Sequence, residues 1–390
     1  MRGFADDTRL PADGGEISFE PTERMREIIL AADSEIKWLS AEQSNSSLIV
    51  GDAAMVKLFR RVIAGAHPEA EMSRYLTERG FAYTPALLGE MVRVDADGTR
   101  HTLAVAQAFV RNQGDAWTWM LDWMMRVLSE LSSEGDVFAD GEALARVIGQ
   151  RLGEMHAVLA RPSDAAAFAP ERADKAVIDR WGAELETLID AALRALEGAR
   201  AGLEADAVAE ADALRAARTR LVNTAHALAA KGAGTVLTRV HGDLHLGQML
   251  VSSGDVFIID FEGEPARPLA QRRAKTSPMR DLAGVIRSFD YACAVVRRKS
   301  REAHPHLPDD RREAFLTAFQ ERADSAFLAG YRAAAPARES AALLRLFLIE
   351  KAAYEIAYEA ANRPTWIDVP LHGLARIADA ALAPNRKAAE

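Results

Sequence analysis

The chain has 390 residues, with 48 basic and 57 acidic side chains and a formal charge of −9 at pH 7. No basic cluster interleaves with aromatics, which argues against nucleic acid as a partner, and no apolar run reaches the roughly 18 residues of a membrane span. The single cysteine, Cys293, excludes an internal disulfide and a cysteine-based metal site, and reads as a small buried apolar residue.

The length suits one large two-lobed unit or two to three smaller domains. The first residues, Met-Arg-Gly-Phe-Ala-Asp-Asp, lack the apolar core of a signal peptide, so a reducing cytoplasm is the expected location. Residues 1–33 begin polar and then pattern as a short amphipathic helix, Pro21–Ala32. Strand signals follow at Ile36–Leu39, Leu48–Val50 and Met55–Phe59. The first two are separated by Ser44-Asn45-Ser46-Ser47, read as a polar loop, and the last two by a Gly51-Asp52 turn. Lys57 sits mid-strand between Val56 and Leu58. Pro68 signals a helix start, with Glu69 and Glu71 in its first turn and Met72, Tyr75 and Leu76 as its apolar face. After a turn at Asp95–Gly98, Leu103–Val110 reads as a strand.

Helical patterning dominates from there. Trp117, Trp119, Met120, Trp123 and Met124 fit one side of a helix, where core packing outweighs a sugar-stacking role. Segments 141–160 and 175–232 carry no internal proline and read as long helices that include a hairpin. His156 reads as a packing histidine near the segment that carries the chemistry.

That segment is 240–262. It contains Val-His-Gly-Asp-Leu-His-Leu-Gly-Gln-Met-Leu and then Val-Phe-Ile-Ile-Asp-Phe-Glu, which sets Asp243, Gln248 and Asp260 at spacings of 5 and 12. Ser253-Gly254-Asp255 is a turn signal that folds 249–252 onto 256–260. An acid, an amide five residues on, and a second acid ending an apolar strand follow the order of a kinase catalytic centre. The first acid orients and deprotonates an attacking hydroxyl, while the amide and second acid hold a magnesium ion against the phosphates. A surface hairpin would explain a lone His-Gly-Asp, but not four matched features. Within this frame Lys57 would bind nucleotide phosphate, Glu71 would pair with it, and Ser46 and Ser47 would donate to phosphate, the competing reading being an ordinary turn. Gln107 and Phe109 would lie near the adenine. Asp281, in a helix starting near Pro278 that buries Leu282, Val285, Ile286 and Phe289, would anchor the catalytic loop. A first-turn acid favouring its own helix dipole is the alternative. His241 is assigned to the same scaffold and not to proton transfer, and is counted among the substrate residues.

Residues 261–281, with the His-Gly-Asp-Leu-His-Leu-Gly-Gln run, Arg280–Tyr291, Gln43–Ser47, Lys57–Arg60 and Glu350–Leu371, closely resemble maltokinases, over roughly 34–380. The resemblance implies an α+β, two-lobed, protein-kinase-like fold of the aminoglycoside-phosphotransferase type with a large helical C-terminal lobe. It divides the chain into an extension or vestigial cap (1–33), a strand-rich nucleotide-binding lobe (34–110) and a helical lobe with the acceptor site (111–390). It implies ATP and Mg²⁺ as cofactors and transfer of the γ-phosphate to the anomeric hydroxyl of maltose, with Asp243 as base. Gln248 and Asp260 would be metal ligands, and Glu262 a weaker one. Maltokinases carry a larger N-terminal cap, so the likeness extends to the kinase part of trehalose synthase–maltokinase fusions, and a trehalose synthase domain is an expected partner. The helix expected over 342–362 sets Lys351, Tyr354, Glu355 and Tyr358 on one face, where carboxylate, ammonium and phenol suit a sugar. An ordinary solvated helix face is the bland alternative. Two other readings compete: a kinase of glucosamine or an aminoglycoside on the same scaffold, and a non-catalytic glycan-binding pseudokinase.

Overall fold

The structure, a computed structural model, describes residues 1–29, 31, 33–39, 45–130, 136–335 and 339–382. The chain forms two compact units. The first comprises Met1–Trp119, His241–Asp243 and Gly247–Ala274, and the second Met120–Val240, Leu244–Leu246 and Lys275–Glu390.

The first unit is built on an antiparallel seven-stranded sheet. In chain order its strands are β1 (Arg9–Ala12), β2 (Gly15–Pro21), β3 (Ile36–Leu39), β4 (Asn45–Val50), β5 (Ala54–Phe59), β6 (Leu87–Asp95) and β7 (Arg100–Ala108). Their spatial order is β1-β2-β6-β7-β5-β4-β3. Strand alternation divides the core between two faces. Ala54 and Val56 on β5 join Ala104 and Ala106 on β7 in one cluster with Phe4, Met25 and Leu88. Phe59, Leu87 and Val105 form another with Ala70 of the helix Pro68–Glu78. The register sets Ser47 and Val105 opposite Lys57, so this lysine belongs to the helix-covered face.

Three expectations need revision here. Residues 9–21 are not an extension, because β2 pairs with β6 along seven positions and brings β1 into the sheet. In place of an amphipathic helix over 21–32 there is a short 3₁₀ turn, Glu23–Glu27, whose only buried residue is Met25. Asn45, Ser46 and Ser47 are not loop residues: they extend β4, paired with Phe59, Leu58 and Lys57. Ser44 lies outside the described residues.

The hairpin Met249–Ser252 and Asp255–Ile258 also belongs to the first unit. Its two-residue loop, Ser253-Gly254, has positive φ at both positions (52° and 79°), the conformation that matches strand twist in a tight hairpin.

The second unit is helical. Ala139–Leu159 lies against Asp309–Ala334 with almost no gap. A Cβ on Gly149 would fall 1.9 Å from the Phe327 carbonyl oxygen, and one on Gly330 would fall 2.0 Å from that of Arg146. Residues 175–232 form Lys175–Ala199, Ala205–Ala216 and Arg218–Ala230, the first and last packed together. The Trp/Met stripe lies on the helix Ala116–Ser129, and its Met120, Trp123 and Met124 are buried, Trp123 against Phe319. Met279–Ala303 buries Leu282, Val285, Ile286 and Phe289 as its spacing predicts. Among the described residues no helix is long and apolar enough to cross a membrane.

Candidate active site

Lys57 is the centre of the first unit's polar cluster. Its ammonium lies 2.6 Å from Asp260 Oδ1 and 2.7 Å from Glu262 Oε1, and Asn45 Nδ2 donates to the same Glu262 oxygen at 2.7 Å. The Gln248 side chain hydrogen-bonds Asp260. Sequence spacing therefore brings Lys57, Gln248, Asp260 and Glu262 together; Asn45 it indicated only as part of a polar loop.

The backbone is shaped for this. Asp260 follows the second hairpin strand with φ of +67°, a left-handed conformation costly for a residue with a Cβ, and Gly263 repeats it at +70°. That local turn carries Asp260 and Glu262 to the same ammonium. Arg272 Nη1 donates to the Glu262 carbonyl at 3.1 Å and ties the turn down. His241 is buried and braces the other side. Its Nε2 donates to the Ile259 carbonyl at 2.8 Å, which leaves Nδ1 to accept from the Asp243 backbone N–H at 3.4 Å. His241 thus works as a strut that links the strand before Asp260 to the backbone of Asp243, with its ring 5.1 Å from Phe261.

Electrostatics follow from burial and charge. Burial opposes the Lys57 charge, yet Glu69, Asp260 and Glu262 outweigh it and hold the ammonium above its ordinary range. Burial likewise works against the Asp260 carboxylate, but the charge and hydrogen bond of Lys57 leave it below the usual value. Glu69 goes the other way, with burial raising it despite Lys57. His67 stacks on Phe59 at 3.9 Å, and burial together with Lys57 and Arg272 lowers it to about 3, so it stays neutral.

Several side chains turn away from their expected partners. Glu71 pairs with Arg273 at 2.7 and 2.9 Å; one helical position pair earlier, Glu69 is the acid that faces Lys57. The choice between the two depended on helix phase, which first-turn acids do not reveal. Gln107 donates to Glu69 at 2.9 Å and to Ser73 at 3.2 Å, and so positions that acid. The Phe109 N–H is committed to the Ala53 carbonyl at 3.0 Å. Ser46 accepts from Arg60 Nε at 3.0 Å, while Ser47 is buried in the ladder opposite Lys57.

In the second unit, Asp281 is buried and bonded to His156 Nε2 at 3.0 Å, with the Tyr331 hydroxyl on the other ring nitrogen at 3.1 Å. Two further residues of the same helix meet the loop piece Leu244–Leu246. Ser288 Oγ accepts from the Leu246 N–H at 3.0 Å, and Gly284 lets the Leu244 carbonyl approach to where a Cβ would stand 2.3 Å away.

The helix Ala341–Asn362 exposes Tyr358 and half-exposes Lys351 and Tyr354, with the two phenol rings stacked at 6.2 Å and the ammonium 5.6 Å above Tyr354. Glu355 does not share that face. It is buried and accepts from Arg287 Nε at 2.8 Å, because a guanidinium sealed beneath the helix requires a carboxylate. Burial raises the Glu355 carboxyl against the pull of Arg287.

The family model of the phosphotransferase enzyme family (APH) matches residues 35–344. The chain belongs to this family. It is a small-molecule kinase with an aminoglycoside-phosphotransferase-like fold. Similar curated proteins include a glucosamine kinase of Streptacidiphilus jiangxiensis, 29% identical over 84% of this chain and 70% of its own. A glucosamine kinase of Mycolicibacterium smegmatis is 29% identical over 87% and 79%. Among solved structures, a glucosamine kinase in complex with glucosamine, ADP and inorganic phosphate superposes with a TM-score of 0.71 over 95% of this chain and 93% of its own, at 22% identity. That likeness supports the fold.

Proposed function

We propose that this kinase transfers the γ-phosphate of ATP to a hydroxyl of a glucose-based sugar, with glucosamine as the leading acceptor. The observation that carries the chemistry is the cluster of Lys57, Asp260, Glu262 and Gln248, with Asp243 backed by the His241 strut. The acceptor class is supported by the two relatives named glucosamine kinase, each aligned over more than four fifths of this chain.

The donor set fits magnesium. It offers hard oxygens from two carboxylates and an amide, and a cation, the Lys57 ammonium, already rests on both carboxylates. Magnesium is held by one or two carboxylates plus phosphates and water, so a larger cluster of protein ligands is not required. Asp260, Glu262 and Gln248 would hold the ion, which supplies charge neutralisation across the phosphates. Lys57 would then turn from the carboxylates to phosphate oxygens, with Glu69, positioned by Gln107, holding its charge. Asp243 orients the acceptor hydroxyl and takes its proton on the carboxylate as the oxygen attacks phosphorus.

Maltose is the second reading, favoured by the helix Ala341–Asn362. Its Glu350, Glu355 and Glu359 are already engaged by Arg280, Arg287 and Arg363. The outward face is left with Lys351 and two tyrosines, which suits a neutral disaccharide better than an ammonium sugar. A coupled assay of ATP turnover over glucosamine, glucose, maltose and aminoglycosides separates the readings. The highest kcat/KM with glucosamine supports the first and with maltose the second. Turnover of aminoglycosides alone would overturn both.

A further inference from the structure

The two acids of the first unit are held alike, each by one neutral amide and by the shared Lys57 ammonium. Gln248 hydrogen-bonds Asp260, and Asn45 Nδ2 donates to Glu262 Oε1 at 2.7 Å. Lys57 reaches that same Glu262 oxygen at 2.7 Å and Asp260 Oδ1 at 2.6 Å. Among the described residues, Lys57 and Asn45 are the partners of the Glu262 carboxylate, and both meet Oε1. The supports differ in stiffness. Glu262 lies on a turn between Asp260, with φ of +67°, and Gly263, with φ of +70°, and Arg272 ties down only its main-chain carbonyl. Asn45 opens β4, is paired there with Phe59 of β5, and is 4% exposed. An amide fixed by a buried strand thus aims a carboxylate carried by a turn. Residue type matters as well: the amide donates without charge, so it orients Glu262 without neutralising it, whereas Lys57 does both.

We infer that Asn45 is a positioning residue for the metal site, which keeps Glu262 aimed while Lys57 turns to phosphate. The inference rests on the proposed function above, in which the ammonium leaves both acids. At that point Glu262 loses one of its two side-chain partners and keeps Asn45. Without Asn45 the long glutamate side chain would have to be ordered on binding the ion, at a cost in rotamer entropy that lowers affinity. Groups that orient a metal-binding carboxylate in this way are typically worth about 10–100-fold in metal affinity. Gln248 stands in the same relation to Asp260 but is itself a candidate ligand. Asn45 turns its nitrogen to the carboxylate, and so acts through Glu262.

The test is a double-mutant cycle read by binding, with no sugar present. Mn²⁺ is titrated into the full chain with ADP and followed by the electron paramagnetic resonance of the free ion, and ADP binding is measured separately in EDTA. Asn45→Ala should weaken Mn²⁺ binding in the ADP complex by about tenfold or more and leave ADP affinity in EDTA within about twofold of native. Glu262→Gln should weaken Mn²⁺ binding too. Adding Asn45→Ala to it should cost less than about twofold, because the amide then has no carboxylate to aim. Asn45→Thr, a good strand former whose hydroxyl stops one atom short of Nδ2, should match Asn45→Ala, and gives the reading if circular dichroism shows the alanine variant unfolded. Native Mn²⁺ affinity in these variants, or an equal loss with and without the Glu262 carboxylate, would overturn the inference and leave the kinase reading standing. A native chain that takes up no Mn²⁺ with ADP would overturn the metal reading and the inference with it.

Discussion

At the scale of single residues, the chemistry depends on how each carboxylate is held. Asp260 and Glu262 are both engaged by Lys57, and Glu69 is buried with its charge disfavoured. Asp243 is only partly buried and its backbone is fixed by His241, which suits a group that must meet an acceptor hydroxyl. Asp243→Asn should therefore lower kcat by about 10²–10⁴-fold, the usual worth of general-base assistance, with nucleotide affinity retained. Single-turnover rates and nucleotide titration of the purified variant check this, and near-native turnover would remove the assignment. A second residue makes a stability prediction. Burial, then the negative charge of Asp290, holds the Asp324 carboxyl well above its ordinary range, and its Oδ1 has no partner among the described residues. An acid with a raised folded value keeps its proton while the unfolded chain, with a value of about 3.9, loses its own. Folding then weakens as pH rises through that window and is unaffected below it. Asp324→Asn should raise the melting temperature at neutral pH, with the gain vanishing towards about pH 4. A pH-independent difference in thermal scans would contradict this origin.

At the scale of elements, the sequence is clearest where local pattern and backbone chemistry agree. Val56, Lys57 and Leu58 alternate as a strand should, and Ser253-Gly254 supplies a turn that fits a two-residue hairpin, so β5 and the hairpin are readable in advance. The partner of Lys57 is not readable, because Glu69 and Glu71 share one helical turn and only packing decides which faces the sheet. β2 has a local signal that sequence reasoning passed over, the two-residue Asp13-Gly14 turn to β1 with Gly14 at positive φ; only its pairing with β6, about 70 residues away, has none. The same limit applies to Glu355, whose spacing fits an outward face while its partner, Arg287, lies on another helix. The consequence is measurable. Glu355→Ala leaves a fully buried guanidinium with Asp290 alone, and breaking a buried pair typically costs about 3–5 kcal/mol. Denaturant unfolding should show that loss, while Tyr358→Ala, at an exposed ring, should leave stability nearly unchanged and raise KM for the sugar. Equal stability of the two variants would return Glu355 to the acceptor face.

For the whole molecule, the two units carry different parts of the proposed reaction. The first holds Lys57, Asp243, Gln248, Asp260 and Glu262, the groups that would act on nucleotide and on the transferring phosphoryl group. The second holds Lys351, Tyr354 and Tyr358, the groups that would distinguish one sugar from another. Phosphoryl chemistry is common to every acceptor, so a change in the first unit should scale all sugars together. A change in the second should alter their ratio. Lys351→Glu is the most discriminating case, because it replaces a cation by an anion beside an ammonium-bearing or a neutral sugar. At about 4 Å and an effective dielectric constant of about 20, reversing one charge is worth several kcal/mol, reduced by solvent at a half-exposed position to about 1 kcal/mol or a little more. The ratio of kcat/KM for glucosamine over maltose should thus rise about fivefold or more in Lys351→Glu, and stay within about twofold of native in Asp260→Glu even as both absolute rates fall. Equal changes for the two sugars in Lys351→Glu would separate this helix from acceptor choice and leave the phosphoryl-transfer assignment of the first unit intact.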